Sequence, residues 1–347
     1  MTTAIIAPSN LKHRVRGTGY YFENLKKALL KYCPNGYIFP EAGKNLPKEV
    51  DLVHYPFFEP FFLTLPFFRI HKTIVTIHDL TPFVFPKYFP KGTRGFLKWQ
   101  LQRQALKSVN AIITDSQSSK KDIIKYAGVN EKKVKVIYLS AGEEFKQYQI
   151  SNTKYQMLRD KYRLPDKFVL YVGDVTWNKN LPRLLEAVIK INVPLVMIGE
   201  ALTSSDFDKN NPWNQDLVKV QKLAESNKKI IRVGFVDTPD LVNLYNIASV
   251  FVMPSLYEGF GLPVLEAMAS GCPVVTTKEG SIPEVAGDAV YYVDPYNTDS
   301  IKEGVLQVFS NQKLHVDLSK KGLARAKKFS WKKTAEETAA VYEKVLG

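Results

Sequence analysis

Two glutamates, Glu258 and Glu266, bracket a Gly-Phe-Gly turn in the stretch PSLYEGFGLPVLEAMASGCPVV. Pro263 suits the first turn of a helix and Gly271 its far end, so a helix is expected from Leu262 to Ser270. On a helical wheel Glu266 falls about 40° from Leu262 and about 60° from Ala269. It therefore shares a face with Leu262, Leu265 and Ala269. An ionised carboxylate among apolar neighbours is costly unless donors meet it. A ligand with vicinal hydroxyls, such as a ribose, would supply two. Gly259, Phe260 and Gly261 lead into the helix start, where N–H groups favour a phosphate. Carboxylate, phosphate cradle, carboxylate is an arrangement that could hold a nucleotide sugar. An internal reading stands beside it: each glutamate bonds a neighbouring backbone group or lysine, and the glycines serve packing.

Elements that could position these residues recur along the chain. Apolar, β-branched runs are followed by helical patterns: TTAIIAP, DLVHYP, KTIVTIHDL, NAIITDS and VKVIYLS, then KFVLYVGD, VPLVMIGE, KIIRVGFV, ASVFVMPS, GCPVVTT and AVYYVDP. Runs without alternation suit parallel strands buried on both faces. Helices are expected at 19–31, 92–109, 118–127, 180–191, 238–247 and 262–270. Two consecutive βα series predict an α/β protein of two doubly wound Rossmann-like domains. The break is expected in the polar DKYRLPDK, giving domains 1–160 and 161–328 and a closing helix at 329–347. Ligands in such sheets bind beyond the strands' carboxyl ends. The residues to read there are Gly17 and Gly19 in SNLKHRVRGTG, His54, His78, DSQSS at 115–119, Asn178 and Lys179, Gly234 and Phe235, and Glu258.

Composition narrows the classes. The 347 residues are 45% hydrophobic, enough for two cores. The two cysteines, Cys33 and Cys272, have no metal-ligand spacing and fit a reducing compartment. The opening MTTAIIAPSN lacks the basic and apolar regions of a signal peptide. No apolar run approaches the roughly 20 residues of a spanning helix. The expected location is cytoplasmic. Charge is uneven: residues 1–160 hold 25 Lys/Arg against 12 Asp/Glu, a net of +13, whereas 161–347 hold 23 against 22, a net of +1. A basic half beside a neutral one suits a domain that faces something anionic, whether nucleic acid, phospholipid or a phosphorylated substrate, or else charge that serves only solubility. Nucleic acid is the least supported partner, because no recognition motif accompanies the charge.

The segment SLYEGFGLPVLEAMASGCPVVTTKEGSIPEVAGDAVYYVDP resembles the retaining glycosyltransferases of family 4, which have the GT-B fold. GTGYYFENL, TIVTIHDLTP, AIITDSQSSKKDI, YVGDVTWNKNLPRLLEA and VGFVDTPDLVNLYNIASVFVMPS extend the resemblance over nearly the whole chain. The sub-pattern is similar to mannosyltransferase-like members that use GDP-mannose, with UDP sugars as the alternative. The resemblance implies two domains whose sheets face a cleft. It implies that Glu258 contacts the donor sugar, that Glu266 holds the ribose, and that the backbone of Phe260, Gly261 and Leu262 meets the diphosphate. Lys179 matches the phosphate-binding lysine of an RKN-like loop. Asn178 stands where the family has an arginine, which makes Arg183, one turn on, the substitute cation. His78 would lie beside the donor sugar, and Gly17 and Gly19 near the diphosphate and acceptor. Gly234 and Phe235 complete the donor-binding set. No cofactor or metal is expected, although Asp206 and Asp208 form an Asp-x-Asp pattern.

The expected function is retaining transfer of a hexose from a nucleotide-diphosphate sugar to a glycan or lipid-linked acceptor. The alternative is a non-catalytic nucleotide-sugar or nucleic-acid binding protein on the same fold. Two segments bear on the acceptor. PFFEPFFLTLPFFRIHK, 56–72, and KGTRGFLKWQLQRQALK, 91–107, mix aromatic and basic residues. They suit peripheral contact with an anionic membrane on its inner face, or an aromatic core under long loops.

Overall fold

The β-branched runs fold as short strands in two separate sheets. The computed structural model describes residues 2–8, 17–34, 36–43 and 45–347. The chain divides into an N-terminal unit, 1–140 with 329–347, and a C-terminal unit, 141–328. The division falls at Ser140 and Ala141, ahead of the DKYRLPDK segment. That segment instead ends the helix Asn152–Tyr162. Lys154 and Lys161 on this helix both pair with Asp240, at 2.9 and 2.6 Å, which ties it to the C-terminal unit.

The N-terminal sheet contains β1 (Thr3–Ile5), β2 (Tyr37–Ile38), β3 (Leu52–Tyr55), β4 (Lys72–Thr76), β5 (Ala111–Thr114) and β6 (Val134–Val136). Their order is β2-β1-β3-β4-β5-β6, all parallel. The two-residue β2 is too short to leave a pattern in sequence. The helix Thr18–Tyr32 buries Tyr21, Phe22, Leu25 and Leu29. The helix Gly92–Lys107 buries Trp99, Gln102, Ala105 and Leu106. Ser330 caps the final helix, Trp331–Leu346, by accepting from the Lys333 N–H. That helix packs on Thr18–Tyr32 and reaches β4 and β5.

The C-terminal sheet contains β7 (Val169–Val172), β8 (Leu195–Ile198), β9 (Ile230–Val233), β10 (Val250–Met253), β11 (Val274–Thr276) and β12 (Tyr291–Tyr292). All pairs are parallel and the order is β12-β11-β10-β7-β8-β9. Every residue of β7, β8 and β10 is buried, as expected of strands covered on both faces. The chain runs outward from β7 to β9, returns to β10 on the other side of β7, and runs outward again. The topological switch therefore lies between β7 and β10, where ligands bind doubly wound sheets. Lys179 follows β7 and Glu258 follows β10.

His54 does not sit at a strand's end as expected. It lies within β3, fully buried, with Nδ1 2.6 Å from the Tyr342 hydroxyl and Nε2 2.8 Å from Thr76 Oγ1. Burial, with the nearby His78 adding, pushes its pKa from 6.5 down to about 3. Folding thus requires a neutral imidazole. The stability this group contributes is complete above pH 6.5 and is lost as pH falls from there toward 3. Urea unfolding of the wild type should show a stability slope of about 1.4 kcal/mol per pH unit from this source. His54→Gln should be less stable at neutral pH yet lose that part of the slope, and an unchanged slope would refute the assignment.

Candidate functional site

The C-terminal switch point is built from two loops. After β7 a single 3-10 turn, Trp177–Lys179, is followed by Asn180 in the left-handed conformation, at φ 58°. Asn180 then starts the helix Leu181–Ile191. Its amide reaches the carbonyls of Pro254 and Pro295, at 3.0 and 2.8 Å. Asn178 binds the other loop directly, with Nδ2 3.0 Å from the Tyr257 carbonyl, its own carbonyl accepting from Leu256 N at 2.7 Å, and Oδ1 accepting from Thr176 Oγ1. The loop after β10 is thereby fastened to the loop after β7.

Lys179 and Glu258 meet at this junction. Lys179 Nζ lies 2.8 and 3.0 Å from the two Glu258 carboxylate oxygens. Ser255 Oγ donates to Oε1 at 2.6 Å. The Glu258 carbonyl accepts from the Ser281 backbone and hydroxyl, at 3.1 and 3.0 Å. Gly280, at φ 61°, is pressed so close that a Cβ would stand 2.5 Å from the Glu258 carbonyl oxygen. Gly261, at φ 91°, starts the helix Leu262–Ala269, and a Cβ there would strike Ile282. These two glycines are thus demanded by φ and by close approach together.

Glu266 is buried on that helix, and its Oε2 accepts from Tyr245 OH at 3.1 Å. Tyr245 comes from the helix Thr238–Ile247. Arg183 Nη1 donates to Asn180 Oδ1 at 2.8 Å. Gly234 and Phe235 follow β9, at the edge of the sheet, and the Phe235 ring is exposed. Three strand steps separate β9 from β10, on the order of 14 Å. The structure therefore brings together Asn178, Lys179 and Glu258, with Phe260, Gly261 and Leu262 next in chain, and sets Gly234 and Phe235 at some distance along the same sheet.

The N-terminal unit holds a second polar centre. His78 lies just past β4, and its Nδ1 is 2.6 Å from Asp115 Oδ2, past the end of β5. The Tyr21 ring meets the imidazole edge-on at 4.8 Å, and Ser119 Oγ donates to the His78 carbonyl at 2.8 Å. Nε2 is buried near the Pro56 carbonyl, without a hydrogen bond of good geometry. Burial alone would lower the His78 pKa, but the Asp115 carboxylate outweighs it by charge and hydrogen bond, and the net shift is upward. Gly17 precedes the helix Thr18–Tyr32 at φ 62°, and Gly19 is buried in its first turn. Lys12, His13, Arg14 and Arg16 lie outside the described residues.

Sequence reading pointed to the loop 115–119 without giving Asp115 a role, and it assigned none to Ser255, Tyr245, Gly280 or Ser281 as supports of these groups. Asp115 carried a signal, because DSQSS follows a strand next to the one that His78 follows. Tyr245 carried none, since it approaches Glu266 from a different helix.

The family model "Glycosyltransferase Family 4" matches residues 5–140, and "Glycosyl transferases group 1" matches 155–325. The chain is 31% identical to O-antigen chain mannosyltransferase B of Escherichia coli, over 79% of this chain and 71% of that protein. It is also 31% identical to the serotype-specific mannosyltransferase WbdA of Escherichia coli, over 79% of this chain but 34% of that protein. The chain thus spans about a third of WbdA's length. Among solved structures it matches Anabaena Alr3699/HepE in complex with UDP-glucose, at a TM-score of 0.74 and 16% identity, over 99% of this chain and 100% of that one. The chain belongs to glycosyltransferase family 4 and has the GT-B fold.

Asp115→Asn should lower the titration midpoint of His78. The raised value means that the proton-linked stability is complete below pH 6.5 and is lost as pH rises through the folded value. Imidazole NMR titration of wild type and variant checks this, and equal midpoints would show that Asp115 does not hold the proton.

Proposed function

We propose that this glycosyltransferase moves a hexose, with retention of configuration, from a nucleotide-diphosphate sugar to a glycan or lipid-linked acceptor. GDP-mannose is the favoured donor, because both sequence relatives named above are called mannosyltransferases. A UDP sugar is the alternative, favoured by the fold neighbour that holds UDP-glucose. The observation that carries the reading is the meeting of Lys179 and Glu258 at the β7–β10 switch, beside the start of the helix Leu262–Ala269. A cation, a carboxylate and a helix N-terminus at one point can hold a sugar diphosphate.

In the proposed reaction the sugar C1–O bond breaks and its electron pair leaves on the diphosphate. The acceptor hydroxyl forms the new C1–O bond on the same face, and its proton passes to the leaving phosphate oxygen. Lys179 and the helix N–H groups stabilise the developing phosphate charge. Glu258 orients the sugar hydroxyls, Glu266 the ribose, and His78 acts at the transfer step. Arg183 is the further cation for the phosphates, reached by leaving Asn180. No metal or cofactor takes part. The N-terminal unit takes the acceptor and works as a peripheral protein on the inner face of a membrane.

Lys179→Ala and Glu266→Ala should each lower turnover on the order of 10²-fold or more, about 3 kcal/mol, measured below each variant's unfolding temperature because Lys179→Ala also leaves Glu258 unpaired. Product formation from GDP-mannose, UDP-glucose, UDP-GlcNAc and UDP-galactose identifies the donor, and NMR of the product gives its anomeric configuration. Near-normal activity in either variant overturns the site. An inverted product overturns the mechanism, and activity abolished by excess EDTA overturns metal independence.

A further inference from the structure

The N-terminal unit carries an apolar surface that its own fold holds outward. In the loop 61–70, Phe68 is 90% exposed and Ile70 93%, with Phe62, Leu63 and Phe67 also exposed. These side chains do not stand out for want of anchoring. Gln102 brackets Leu65, its Oε1 accepting from Leu65 N at 2.8 Å and its Nε2 donating to Leu65 O at 3.0 Å. Arg69 donates to the carbonyls of Pro66 and Ala105, each at 2.9 Å. Phe61 packs against Gly95, and buried Leu65 shares a core with Trp99 and Leu106. The loop is thus stapled along the helix Gly92–Lys107, and its buried members fix the exposed ones.

The helix extends the same surface. Trp99, Gln102 and Leu106 face the core. Arg94, Leu97, Lys98 and Leu101 form another stripe at i, i+3, i+4 and i+7. Leu97 and Leu101 are exposed. Lys98 Nζ stands 5.3 Å over the Phe62 ring, and Lys91 Nζ 5.0 Å over Phe96, so cations and apolar groups alternate at the rim. From Pro60 to Lys107 the chain has eight Lys/Arg and a single acid, Asp79. That acid accepts from Thr81 N in the turn after β4.

We infer that this surface docks on an anionic lipid bilayer, with the 61–70 loop as an apolar wedge and the helix Gly92–Lys107 as its cationic collar. Charge complementarity selects the occupant. Lys91, Arg94 and Lys98 border the apolar groups, whereas Lys72 and Arg103 donate to carbonyls of Val345, Leu346 and Ala127. A protein partner or second copy would meet the bordering cations, and a neutral apolar face would gain nothing from them. An anionic bilayer takes both: rings and aliphatic groups enter the headgroup boundary while ammonium and guanidinium groups meet phosphates. The inference deepens the proposed lipid-linked acceptor and rests on it for its purpose, but the binding itself can be measured without any transfer.

The test is co-sedimentation of the full chain with vesicles of equimolar phosphatidylglycerol and phosphatidylcholine, beside pure phosphatidylcholine vesicles. Two variants separate the wedge from the collar: Phe62, Phe68 and Ile70→Ser, and Lys91, Arg94 and Lys98→Glu. All these positions lie outside the donor site, and thermal shift with nucleoside diphosphate checks that both variants keep the fold. Wild type should pellet with the anionic vesicles at low salt and be released at about 1 M salt, where the screening length is about 3 Å. Each variant should bind at least on the order of tenfold more weakly. A wild type that stays in the supernatant overturns the inference, as does a collar variant that binds like wild type. Concentration-dependent self-association, abolished by the wedge variant and without vesicle binding, would assign the surface to a second copy and overturn it equally. Donor binding without vesicle binding would leave the glycosyltransferase reading intact.

Discussion

The chemistry of the C-terminal unit depends on one constraint, the reversal of strand order between β7 and β10. Chain leaving these neighbours runs to opposite sides of the sheet, which keeps space beyond their carboxyl ends. Residues 79 positions apart, Lys179 and Glu258, are delivered to that space as a pair. Both are largely buried, and either charge left alone there would be strongly unfavourable. Ser255, Ser281 and Gly280 are therefore part of the same construction: they fix the loop that carries the carboxylate. Position 178 shows the same economy of space. Its amide accepts from Thr176 and donates to Tyr257, an exchange no guanidinium could reproduce because it has no acceptor. Asn178 thereby clasps two loops.

Much of this was legible because periodicity and chain order are local properties. Runs such as VLYV and VFVM announce strands covered on both faces, and they are wholly buried. The expected helix at 262–270 is found at Leu262–Ala269, set by Gly261 before it and Gly271 after it. What stayed hidden depends on contacts between distant segments. The domain division could not be read from DKYRLPDK, since its helix is claimed by Asp240 through two lysines and Tyr162. The reading that Glu266 needs donors was right in its physics, and one donor is Tyr245 of the same chain. The alternative that Glu258 bonds a lysine also describes a real contact, so internal pairing and a ligand role are not exclusive for these carboxylates.

His54 and His78 illustrate how similar sequence surroundings diverge. Each follows a β-branched run, and both belong to one connected polar core. Thr76 bonds His54 and Tyr21, and Tyr21 meets the ring of His78. Burial without a charged partner drives His54 to about 3, whereas a carboxylate at 2.6 Å raises His78. Their hydrogen-bond partners, Tyr342 for one and Asp115 for the other, lie 288 and 37 residues away. Through Tyr342 the final helix supplies the partner of one histidine, and a loop residue past β5 supplies the partner of the other. Burial lowers the first, and the Asp115 carboxylate raises the second against its own burial.

The aromatic-basic segments divide within themselves, which composition alone could not foresee. Phe58, Leu65 and Trp99 enter the core, while Phe62, Phe68 and Leu97 remain outside. In water a lysine laid over an exposed ring is worth about 0.5–1 kcal/mol, and the aliphatic stem covers part of the ring. Lys98 and Lys91 thus shelter Phe62 and Phe96. Near anionic headgroups the balance changes: the ammonium gains a phosphate partner and the uncovered ring gains an apolar medium. The two gains reinforce each other, because movement of the lysine toward a headgroup bares the ring it covered. Binding by such a surface responds to salt through both components. Screening weakens the lysine's attraction to lipid and, by leaving it over the ring, also opposes insertion.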